Sequence, residues 1–142
     1  MRHRLFPVLL GTHLAFGSLA AQDCPGGRER SGDLGIGGIR CVGPSASCAI
    51  NLGTSGDDSL RHVFAVEPIV TRVDSTAAPL RAGDTLVAID GVLITTAAGG
   101  TRLARLRVGQ VVVLLVRREG TLLELSLTAG AGCGITTLEV MR

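Results

Sequence analysis

Hydrophobic and polar positions divide this chain into short apolar runs separated by glycine-bearing turns. Residues 36–42 (IGGIRCV) take on strand character after their glycines. Residues 61–66 (RHVFAV) and 69–73 (IVTRV) read as two short strands broken at Pro68, which has no N–H to give a ladder. Residues 85–90 (TLVAID) form a strand between the turn dipeptides Gly83-Asp84 and Asp90-Gly91. The run 110–118 (QVVVLLVRR) is long enough for a buried strand, and Glu119-Gly120 turns the chain. Residues 121–129 (TLLELSLTA) then alternate, with Leu123, Leu125 and Leu127 on one face, so the two runs pair as a hairpin.

Helical spacing is found at 95–107 (TTAAGGTRLARLR), where Thr95 or Thr96 supplies a cap and Gly99, Leu103 and Leu106 share a face. Gly99 and Gly100 each cost about 1 kcal/mol against alanine in a helix interior, which implies that something approaches closely there. A shorter helical turn is expected at 74–80, capped by Asp74 or Ser75. Residues 43–59 are small, polar and turn-rich and read as an exposed loop or an irregular hairpin. Residues 22–31 are a polar lead-in, and 130–142 a tail with a last strand at 135–140. The pattern predicts one mostly β, α+β domain of five to six strands with one short and one longer helix.

Composition narrows this picture. The 142 residues hold one domain, and with Phe6, Phe16 and Phe64 as the only aromatic residues the core is aliphatic. Residues 1–21 have a basic start (MRHR), an apolar stretch and a small-residue end (SLAAQ), the layout of a secretory signal peptide cut after Ala20 or Ala21. Pro7, His13 and a length short of about 20 residues argue against a spanning anchor. Asp23 before Cys24 argues against a lipid anchor. Cleavage removes Arg2 and Arg4, so the 14 basic residues, all arginine, fall to balance the 12 acidic ones. No basic tract or aromatic platform remains to support nucleic-acid binding.

Four cysteines survive cleavage: Cys24, Cys41, Cys48 and Cys133. In a small exported domain they read as two disulfides, with three pairings open. The favoured one closes a short loop with Cys41–Cys48 and ties the ends with Cys24–Cys133. A zinc site finds no Cys-x-x-Cys pair and only His62 to assist.

Residues 80–94 (LRAGDTLVAIDGVLI) resemble the centre of a bacterial PDZ domain of the type found in HtrA and C-terminal-processing proteases, here without a protease domain. DLGIGG resembles the Gly-Leu-Gly-Phe type carboxylate-binding loop, VTRVDSTAAP the strand and small-residue helix before the Gly-Asp turn, TTAAGGTRLARLRVGQ the groove helix, and VVVLLVRREGTLLELSLTA the closing hairpin. The resemblance covers roughly 32–129 and implies a partly open β-barrel or sandwich. It implies that the N–H groups of Leu34, Gly35 and Ile36 hold a peptide carboxylate in a backbone nest. Leu34 and Ile36 then line the pocket for the last side chain. A peptide strand adds beside the strand holding Gly37 and Ile39, with Ala97, Gly100 and Ala104 of the helix as the opposite wall. Asp33 adjoins this site, where it repels a ligand carboxylate unless it turns away or pairs with Arg28 or Arg30. No histidine heads the groove helix, so a preference for Ser or Thr two residues from the peptide end does not carry over.

The implied function is an exported, non-enzymatic module, periplasmic or secreted, that captures C-terminal or extended segments of other proteins. The alternative is a regulatory or structural partner of an envelope protease, with a degenerate groove that Asp33 blocks. No cofactor, metal or nucleic acid is called for, and no membrane after leader cleavage. GIGGIR lacks the βαβ surroundings of a dinucleotide loop. Ser55 in GTSGD has only His62 as a base and reads as a loop serine. The carboxylates are scattered singly and give no glycosidase pair.

Overall fold

A computed structural model describes residues 24–43, 48–53, 59–74 and 79–142. The leader, Ser55 and most of the expected helical turn at 74–80 lie outside the described residues. The chain enters through a 3-10 turn at Pro25–Gly27 and a short strand β1 (Ser31–Asp33). The next strands are β2 (Ile36–Val42), β3 (Cys48–Leu52), β4 (Arg61–Phe64), β5 (Ile69–Val73), β6 (Thr85–Ile89) and β7 (Val92–Leu93). Helix α1 (Ala97–Ala104) precedes β8 (Val111–Arg118), β9 (Thr121–Thr128), β10 (Gly130–Gly132) and β11 (Thr137–Met141).

The principal sheet runs β11-β2-β5-β6-β8-β9, with β7 attached to β6. Two small pairs stand apart from it: β1 with β10 and β3 with β4. None of the sheets closes into a barrel, and the architecture is mostly β and α+β, as the pattern predicts. The described residues form eleven strands and not five to six, because short strands such as β1, β3 and β10 arise in segments too polar or glycine-rich to read as strands. The core is aliphatic. Ile39, Leu86, Ile89, Ile94 and Leu114 are wholly buried, and Phe64 is the aromatic among them.

Several elements follow directly from local chemistry. Thr96 caps α1, its hydroxyl accepting from the Gly99 N–H at 3.1 Å. The β8–β9 hairpin pairs in unbroken register from Val111↔Thr128 to Arg118↔Thr121, closing on the Glu119-Gly120 turn. Strand β8 buries Val112, Leu114 and Val116, while Val111 is 61% exposed. The run is apolar on both faces, but only one faces the core.

Residues 43–59 are more ordered than a loop where the structure describes them. Cys48–Leu52 pairs antiparallel with Arg61–Phe64, making the irregular hairpin. Residues 130–142 are woven into the fold. Gly130–Gly132 pairs with Ser31–Asp33, and Thr137–Met141 runs parallel to β2 from Thr137↔Gly38 to Met141↔Val42. Two disulfides are present, Cys24–Cys133 and Cys41–Cys48.

Candidate functional site

The glycine loop lies between β1 and β2. Gly35 turns the chain with φ +81°, in the left-handed region open to glycine. The Gly35 N–H donates at 2.7 Å to Oδ1 of Asp33. The other carboxylate oxygen, Oδ2, accepts from the Gly134 N–H at 3.2 Å. A Cβ at Gly132 would collide with the Asp33 carboxylate, so glycine is needed there to make room. Of the expected donors Leu34, Gly35 and Ile36, it is Gly35 that holds a carboxylate, with Gly134 as second donor, and the carboxylate is the chain's own. Asp33 neither turns away nor pairs with Arg28, whose guanidinium goes to Oδ1 of Asn51 at 3.0 Å.

The candidate residues fall into three places. Leu34 and Ile36 are buried and line a cavity of ≈ 20 Å³ with His62, Leu103, Ala104 and Ile135. That volume admits about one water molecule. Ile39 is wholly buried in the core, and Gly37 lies under the Arg72 guanidinium, which donates to the Gly37 carbonyl at 3.1 Å. On the helix, Gly100 and Ala104 face inward while Ala97 is exposed.

Chain elements cover both walls of this region. Along β2, the edge not taken by β5 is paired with β11. Over α1, strand β4 packs so closely that a Cβ at Gly100 would strike the His62 carbonyl oxygen. A Cβ at Gly99 would strike the Leu93 carbonyl oxygen, so the double glycine serves two backbone approaches. Each cover is anchored by a disulfide: Cys41–Cys48 joins β2 to the β3–β4 hairpin, and Cys133 sits at the root of β11.

Asn51 and His62 join these parts, and the sequence pattern singled out neither for this task. Asn51 adopts φ +56°, which asparagine tolerates better than most residues. Its side-chain Nδ2 donates to the Ile135 carbonyl at 2.8 Å, and its N–H donates to Nδ1 of His62 at 3.0 Å. An asparagine between two glycine turns was the one available signal.

His62 is 4% exposed. Burial, and then the charge of Arg28, push its imidazole down to about 4 from 6.5; a backbone hydrogen bond with Arg61 opposes them. Protonating Nδ1 would set two donors face to face. The unfolded chain takes up this proton first as pH falls, so the stabilisation is complete above about pH 6.5 and is lost between about 6.5 and 4. The loss reaches about 3 kcal/mol at most. Urea titrations across this window should show stability falling in the natural chain and a flatter profile in His62→Gln. Parallel profiles would remove His62 as the cause.

Among the described residues no three His, Cys, Asp or Glu side chains converge as a metal site, and no helix is long and apolar enough to cross a membrane. The succession of glycine loop, strand, Gly-Asp turn, short helix and closing hairpin makes the fold PDZ-like. No family model matches the chain, and no curated protein matches it. Among solved structures, an HtrA-type protease, AlgW, solved with a tripeptide, is similar at a TM-score of 0.43 and 20% identity. The match covers 79% of this chain and 36% of that one.

Proposed function

We propose that this protein is an exported, non-enzymatic binding module that takes C-terminal or extended peptide segments by strand addition at β2. One observation carries the reading: the site already holds both kinds of group that such a ligand would bring. A strand, β11, lies along β2, and a carboxylate, that of Asp33, lies on the N–H of Gly35. Strand addition and carboxylate binding are thus each realised within the chain, the strand parallel to β2, whereas a peptide ending on the Gly35 loop would run antiparallel to it. The two disulfides suit an oxidising compartment outside the cytoplasm.

The test is binding of the oxidised chain to matched peptide libraries, one with free C-terminal carboxylates and one amidated. Capture that requires the free carboxylate is expected if Asp33 yields its place. Equal capture of both would locate recognition in strand addition alone. Capture of neither would remove the peptide-binding reading.

The same filled site favours a second reading, a structural or regulatory partner of an envelope protease whose groove stays closed. In that case Asp33→Gly should confer carboxylate-dependent binding that the natural chain lacks. Recovery of no protease on co-purification from the cell envelope would count against the partnership.

A further inference from the structure

The two strands that meet along the β2 edge are held very differently. Strand β2 is locked from below: Ile36, Ile39 and Cys41 are buried in the core, and β5 pairs with its other edge. Strand β11 has no buried side chain, and Leu138 alone packs partly against the core. Beyond its parallel backbone ladder with β2, its polar ties are few. Glu139 accepts from Arg40 at 2.9 Å, in a pair whose side chains are 41% and 47% exposed. Thr137 accepts from Arg72 at 3.4 Å, and the Met141 carbonyl accepts from the Gly43 N–H at 3.2 Å. The disulfide lies at Cys133, before the strand begins, so residues 137–142 can leave β2 without breaking a covalent bond.

A segment with this little burial belongs to the part of a fold that opens locally, well before global unfolding. Its departure would bare a row of N–H and C=O groups on a strand that stays in place, the arrangement that templates another strand.

We infer that β11 is a resident strand on the β2 edge that exchanges with an external extended segment; this rests on the peptide-binding reading above. The incoming segment is defined by what β11 presents: an aliphatic side chain at the place of Leu138, beside Ile39, and an acidic one opposite Arg40. Apparent affinity for such a segment is reduced by the fraction of time the edge is open. With a minor open state of about 0.1–10%, the intact chain binds at least about tenfold more weakly than a chain whose strand has been loosened.

The probe is a synthetic peptide of residues 136–142 (TTLEVMR), offered to the full oxidised chain and to the full chain carrying Leu138→Ser and Glu139→Lys. The variant should bind it at least about tenfold more tightly than the natural chain. A peptide with Lys in place of the residue matching Glu139 should bind the variant more weakly. Amide exchange in the natural chain should be faster at 137–141 than across the β2–β5 pairing. Equal affinity of both chains for the peptide, or exchange at 137–141 as slow as at the β2–β5 pairing, would overturn the inference. If the double variant fails to fold, Glu139→Lys alone is read by the same criteria. The two readings fail separately. Recapture of the chain's own peptide with no library peptide bound supports the exchange and counts against peptide capture. Library peptides bound equally by natural and loosened chains overturn the exchange and leave peptide capture standing.

Discussion

Replacing Asp84 with alanine is expected to cost the fold about 3 kcal/mol. Asp84 is 1% exposed at the foot of β6. Its carboxylate accepts two hydrogen bonds from Arg118, Nε to Oδ1 and a terminal nitrogen to Oδ2, each at 2.8 Å. It also accepts from the Arg81 N–H at 2.9 Å. Burial alone would raise its proton affinity, but the hydrogen bonds from Arg118 and Arg81 and their charges outweigh it, holding the carboxyl below the usual carboxylate range. Alanine would leave the Arg81 N–H unpaired and the β8 end of the hairpin untied from the Gly83-Asp84 turn. Because the Arg118 side chain is 20% exposed, water reaches one end of the pair and keeps the cost at the lower end for buried pairs. Since the folded carboxyl is the stronger acid, its stabilisation is present above the ordinary carboxylate value near 3.9 and is lost on acidifying below it. Urea denaturation of Asp84→Ala at pH 7 checks the size of the effect. A loss below about 1 kcal/mol would mean that the pair is no stronger than a surface ion pair.

The larger loss is expected from the long disulfide. Cys24–Cys133 spans 109 residues of sequence and Cys41–Cys48 spans 7. Closing a loop in the unfolded chain removes entropy that grows with the logarithm of loop length, which gives about 5 kcal/mol for the first bridge and about 2 for the second. Replacing both members of each pair with serine in two separate variants, and comparing their urea midpoints and slopes, measures the difference. Equal losses would show that strain or residual unfolded-state structure, and not loop length, sets the contribution of these bridges. The long bridge also joins the lead-in to the root of β11, so its removal should increase amide exchange at 130–134 as well as lowering global stability.

Much of the framework was legible because it depends on neighbours in sequence. Alternation located β9, and apolar runs between turn dipeptides located β2, β5, β6 and β8. The cap at Thr96 and the helical spacing located α1. Two glycines inside that helix signalled a close approach, and the structure names the approaching atoms as the carbonyl oxygens of Leu93 and His62. The Gly-Asp turn was visible as a motif, but its partner Arg118 lies 34 residues away and no local pattern links them.

The candidate groove was legible in its parts and not in its occupancy. Leu34, Gly35 and Ile36 were identifiable as a loop suited to a carboxylate. Asp33 was identifiable as a charge beside it. Whether that charge repels a ligand or replaces it depends on Gly134, 101 residues on. The strand at β11 could be expected from its apolar residues. That it lies along β2 and not at the opposite edge of the sheet is set by where the Cys24–Cys133 bridge and the β1–β10 pairing bring residues 130–136.

Local sequence was thus enough for the β-rich framework, the capped helix α1 and the carboxylate-binding character of the glycine loop. Each rests on contacts within a few residues, where steric preference and hydrophobic period act directly. Only the assembled fold settled what fills the site: the Gly134 N–H on Asp33, β11 on β2, and β4 on α1. Each joins residues far apart in the chain, and each uses at least one backbone group. Apart from proline, every residue offers the same backbone N–H and carbonyl, so their partners are chosen by the packing of the whole chain and not by the letters on either side.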